Sequence, residues 1–237
     1  DASIDGDFIH CFANDSSSVA AKTFEDKNVT IIGNGHIFKQ NGYYNQFQRW
    51  NFVSCSFNAY DFTFHRDNTG TGYAHASMFQ AKDTTFNLYN AGFSGSSGYA
   101  LAVQERVIVN GGFFKGSSTV LFGYSTPNDG TEIRNAQIYA NTEAIDLTGD
   151  NMKVIGCSIL YSQGITSGQY DAITLTGNSN LIQNCNVEGE TENIYKRAIN
   201  IGSNTGASIS TRNEIVNCSI NQGEIQASGY TDIQGCY

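Results

Sequence analysis

Two short stretches of text recur along this chain at a variable interval, and that combination restricts the fold more than any other feature. The first is Val154-Ile155-Gly156-Cys157-Ser158-Ile159, which returns as Ile182-Gln183-Asn184-Cys185-Asn186-Val187 and as Ile215-Val216-Asn217-Cys218-Ser219-Ile220. Weaker copies run from Ile133 to Ile138 and from Ile108 to Phe113, with Asp83–Phe86, Ser54–Phe57 and Asn34–Ile37 further upstream. The second is Ala144-Ile145-Asp146-Leu147-Thr148-Gly149, matched by Ala172–Gly177, by Ala198–Gly202 and, earlier, by Ala100–Val103. The spacing ranges from 21 residues (Ala136 to Cys157) to 33 (Cys185 to Cys218). Constant strand text at a variable period means constant strands joined by variable loops. Helical repeats hold their period more strictly, and a propeller blade needs about 40 residues.

The residue chemistry points the same way. Ile182 and Cys185 differ by three, so simple alternation cannot turn both inward. A bend between them restores the parity, and Asn and Gly tolerate the left-handed conformation that such a corner needs. The corner column is expected at Asn110, Asn135, Gly156, Asn184 and Asn217, with Asp83 and Ser54 before them. Stacked asparagines can also hydrogen-bond up the column. Ile145, Ile173 and Ile199 are expected to stack inward, as are Leu147, Leu175 and Ile201. The expected fold is all-β: a right-handed, single-stranded parallel β-helix of about eight coils, a rod of roughly 40 Å.

Composition supports β-structure and narrows the partners. Charged residues are only 15% of the 237, and there are 25 Gly, 13 Tyr and 15 Phe against a single Pro. The net charge of −9 repels phosphate backbones and anionic lipid, and no apolar run is long enough for a membrane span. Nucleic acid and membrane insertion are therefore not expected, whereas a neutral polymer such as a glycan is compatible. Of six cysteines, Cys157, Cys185 and Cys218 share one repeat phase, which fits small buried side chains better than disulfides.

Residues 1–28 are expected to form an N-terminal cap, with a short helix over 16–22, and 29–237 the β-helix. The start at Asp1 points to a processed chain or a fragment. The abrupt end after Asp232-Ile233-Gln234-Gly235-Cys236 predicts a further domain, a trimer partner or a truncation.

On these repeats, residues 29–237 resemble the pectin-lyase-like β-helix superfamily, which includes pectinolytic enzymes, other polysaccharide lyases and phage tailspikes. The low charge, the Asn, Gly, Ser and Tyr content and the single proline look most like phage tailspikes or appendages. That resemblance implies a homotrimer on the extracellular virion surface that binds, and in many cases cleaves, a bacterial surface polysaccharide. The pectinase signatures are not matched: only Gly33-Asn34-Gly35-His36 comes near, and it lies in the first coil. One fold hosts many activities, so the alternatives are a non-catalytic structural or adhesin module and a secreted polysaccharide lyase or glycoside hydrolase.

The residue preceding each second-text strand should stack at an outer corner: His75, Tyr99, Glu143, Asp171 and Arg197. Glu143 and Asp171 would then lie one coil apart, a spacing that suits paired carboxylates of a glycosidase, with Arg197 holding one of them ionised. The bland alternative is a solvated charge ladder. Glu188 is a third acid/base candidate, within the Glu188, Glu190, Glu192 group. Variable loops after the first text mark a candidate binding face rich in tyrosine. It carries Tyr60, His65, Tyr73, Tyr89, Tyr99, Tyr161, Tyr170 and Tyr195, and tyrosine offers an apolar face and a hydroxyl to a sugar. The substrate-binding candidates are Tyr99, Tyr161, Tyr170 and Tyr195, with His75 and Arg197 of the corner column. The four His lack zinc spacing and no calcium loop appears, so neither metal nor cofactor is expected.

Overall fold

The computed structural model describes residues 8–11, 22–42, 50–68, 79–95, 99–116, 120–123, 127–161, 171–189, 197–202, 208–221 and 223–237. They form a parallel β-helix. Every paired strand runs parallel to its counterpart in the neighbouring coil. The described strands make two walls, one sheet of 14 strands and one of nine. The stack already begins within residues 1–28: Phe8–Cys11 pairs with Asn28–Gly42, and Lys22–Glu25 pairs with Trp50–Val53. Most of the expected capping helix (16–21) lies outside the described residues, and Lys22 opens a strand.

Both expected inward columns are in register. Ile145 pairs with Ile173 and Ile173 with Ile199, while Leu147, Leu175 and Ile201 do the same two residues on. All six are essentially buried. Toward the N-terminus the filling becomes aromatic. Phe64, Phe93 and Phe114 stack with centroids 5.2 and 5.5 Å apart, and Phe24 stacks on Phe52 at 5.3 Å.

The corners are real, but there are two columns of them. The first carries Asn135, Gly156, Asn184 and Asn217 at φ between 53° and 64°, as expected. Its earlier members are Asp61, Asn90 and Gly111, not Ser54, Asp83 and Asn110. Asp26, Ser54, Asp83, Gly130, Asn151 and Ser179 form a second left-handed column, at the turns leading from the smaller sheet into the larger one. The two corner types look alike in sequence because each is a polar residue followed by a buried small one. Asn110 lies just before the glycine pair Gly111-Gly112, and its amide donates to Asn87 Oδ1 (2.8 Å), whose own amide donates to Asn58 Oδ1 (3.0 Å). The asparagine ladder therefore exists, on the wall beside the corner.

Each corner column is followed by its own inward column. After the first come Ala136 and then Cys157, Cys185 and Cys218, all buried; the three free thiols donate to carbonyls of the coil before and of their own coil. Cys55 belongs to the second, with Thr84, Val107, Thr131, Met152, Asn180 and Asn213. There the polar members satisfy backbone groups that the turns leave unpaired. Asn180 Oδ1 accepts the Met152 N–H (2.8 Å) and its Nδ2 donates to the Gly149 carbonyl (3.1 Å). Asn213 repeats the pattern one coil on, toward the Asn180 N–H and the Gly177 carbonyl.

Replacing Asn180 by Ala strands two buried backbone groups and is expected to cost roughly 2–4 kcal/mol in denaturant unfolding. Asn184→Gly, at an exposed left-handed corner, is expected to change stability by less than about 0.5 kcal/mol. Equal effects of the two would contradict this division of labour.

Candidate functional site on the smaller sheet

The second repeated text turns Ile and Leu inward and its intervening residue outward. That outward row on the smaller sheet reads Asp146, Thr174, Asn200 and Gln226, one per coil and in register. Just before the strands, Glu143, Asp171, Arg197 and Glu224 stack in a second row. Glu143 and Asp171 therefore are one coil apart. The predicted column skipped a coil further up, because the strand Leu121–Gly123 lies between the strands that follow Tyr99 and Glu143.

Asp171 is the hub. Its side chain is only 8% exposed, and its carboxylate accepts from Arg197 Nε (2.7 Å), Asn200 Nδ2 (2.8 Å) and Thr174 Oγ1 (3.4 Å). Arg197 also hydrogen-bonds Gln226, so three coils' worth of register is read by one guanidinium and one carboxylate. Asp146 lies beside this network. Burial raises its carboxyl above the ordinary 3.8, and the Asp171 charge raises it further. Asp171 itself is engaged by one cation and two neutral donors. Tyr99 is raised by burial first, then by Asp146 and Glu143, which places its hydroxyl within the field of the same group.

The other candidates are placed differently. Glu188 is exposed on Asn186–Gly189, a strand of the larger sheet, so the fold does not bring it to Glu143 and Asp171. Tyr161 is 3% exposed because it lies two residues after the inward Ile159 on the same strand, and Tyr99 is 8% exposed. Burial removes the open ring face that stacking on a sugar requires. Tyr60 and Tyr89 do stand out from the larger sheet, stacked at 4.7 Å and 7°. His75, Tyr170 and Tyr195 lie outside the described residues. Asp146 and Asn200 are the additions. Their signal was the outward parity of the repeated text, which carries Asp, Thr and Asn in consecutive copies.

The chain matches no protein family model, no curated protein and no solved structure. Among the described residues no helix is long and apolar enough to cross a membrane.

A carboxyl raised in the folded chain keeps a proton that the unfolded chain releases. Stability is therefore lost as pH climbs from the ordinary aspartate value through the folded value of Asp146. Asp146→Asn removes that loss. Thermal melts are expected to show parent and variant alike near pH ~3 and the variant more stable near pH ~7. The same offset at both would mean that Asp146 titrates normally.

Proposed function

We propose that this protein is a tailspike-like β-helix that holds a bacterial surface polysaccharide along the outer wall of its smaller sheet and cleaves it there. The observation that carries the reading is the Asp146–Asp171 pair: a carboxyl raised by burial and by its neighbour's charge, beside one engaged by a guanidinium, an amide and a hydroxyl. Glycosidic bond cleavage asks for two acids in different environments, one of which donates a proton. Asp146 is the donor, Asp171 the partner carboxyl held by Arg197, and Glu143 stands one coil from Asp171. Thr174, Asn200 and Gln226 offer hydroxyl and amide groups at single-coil steps, a repeating set of hydrogen-bond partners for a repeating polymer. The net charge of −9 agrees with a neutral polymer better than an anionic one. A homotrimer displayed on an extracellular virion surface is the assembly this reading entails.

A second reading has its own observation. Asp171 is so fully engaged by Arg197, Asn200 and Thr174 that it resembles a structural ion pair, which fits a non-catalytic adhesin rod.

Incubation with capsular and O-antigen polysaccharides separates the two. Release of oligosaccharides, reduced about 100-fold or more in both Asp146→Asn and Asp171→Asn, is the expected result. Saturable binding without release favours the adhesin. Neither binding nor release, or a monomer in sedimentation, counts against the tailspike reading.

A further inference from the structure

A cleft of about 460 Å³ opens on the other wall, beneath the short turn Ile209–Thr211 where it overhangs the larger sheet. Its floor is a row of outward residues in register, Lys153, Leu181 and Glu214, and its roof is Ile209, Ser210 and Arg212. Two apolar side chains line it, Leu181, half-buried in the floor, and Ile209, 75% exposed, among the polar Ser179, Asn180 and Ser210. The volume falls within the range of sites for small ligands, and the lining is mostly polar, which suits a polar or charged one.

The two ends carry opposite charge. Lys153 belongs to a group with Arg134 and Glu132, in which both cations pair with the one carboxylate (Lys153 Nζ to Glu132 Oε1, 2.9 Å). That end has one positive charge left over. Arg212 belongs to a group with Glu214 (3.1 Å) and Asp232 (3.7 Å), where two carboxylates share one cation. That end has one negative charge left over. Lys153 uses one of its three ammonium donors on Glu132, so donors remain for an incoming anion. Lys153 and Glu214 are two coils apart, about 10 Å, which is the span of three extended residues.

We propose that this cleft binds a short zwitterionic peptide, its carboxylate at Lys153, its ammonium at Glu214 and Asp232, and an apolar side chain between Leu181 and Ile209. Such a ligand is neutral overall, so the −9 of the chain does not repel it. Its charges complete both groups: a carboxylate balances the surplus cation and an ammonium the surplus anion. A neutral sugar leaves both surpluses untouched. The inference is independent of the glycan reading, which concerns the opposite sheet.

The test is calorimetric titration of the whole chain with Ala-Leu-Ala and with its N-acetylated and C-amidated forms. Saturable one-to-one binding of the free peptide is expected, about tenfold weaker for either blocked form. Lys153→Gln is expected to weaken the free peptide by a similar factor yet leave the amidated form unchanged. Glu214→Gln should behave likewise toward the acetylated form. The blocked peptides test the idea on the parent protein, so it does not hinge on either variant folding. No saturation, equal binding of all three peptides, or displacement by neutral oligosaccharide would overturn it.

Discussion

Everything in this molecule depends on equivalent strands pairing in parallel and in register from one coil to the next. A single coil buries almost nothing by itself; Ile173 is covered because Ile145 lies on one side and Ile199 on the other. The same register that builds the core also decides what appears outside. Because side chains alternate, fixing Ile173 inward fixes Thr174 outward, and stacking then aligns it with Asp146 and Asn200. Core and surface are two readings of one constraint.

Register needs enforcing where the chain turns, and two devices do it. At the exposed corners, left-handed residues such as Asn184 and Asn217 reverse the parity, and their N–H groups still donate to the next coil's carbonyls. At the buried turns, Asn180 and Asn213 replace missing strand bonds with amide bonds to the Met152 and Asn180 N–H groups. A buried amide that serves two backbone groups cannot slip by a residue without stranding both. The thiols of Cys157, Cys185 and Cys218 fill the equivalent inward position at the other corner with weaker demands, which is why a small side chain suffices there.

The fold was legible because its texts repeat. The three clearest coils state their corner, their inward column and their strand in the same words. Legibility faded where those words changed. Around Ser54 and Asp83 a different corner wears similar residues, so Cys55 seemed to belong with Cys157 and does not. The strand Leu121–Gly123 has too little text to announce itself, and overlooking it placed Tyr99 one coil too near Glu143. Tyr161 shows a subtler limit. Its position after the repeat implied a loop, but parity with Ile159 turns the ring inward before the loop begins.

The candidate site was half legible for a related reason. Sequence stacking brings Glu143, Asp171 and Arg197 together, since that needs only the register. It does not tell which side chains meet, and here the decisive contacts cross between rows. Asp171 reaches from the strand-leading row to Thr174 and Asn200 in the outward row, drawing the carboxylate against the sheet and under cover. That movement shields Asp171 with three donors and leaves its charge acting on Asp146, already raised by burial. An ion pair read as a one-dimensional ladder would be mostly solvated and of little consequence. Folded across two rows it becomes a polarised group, with a carboxyl raised by burial beside one engaged by three donors. The chemistry of this wall therefore comes from the diagonal contacts, for which the repeat supplies the positions and the side chains supply the rest.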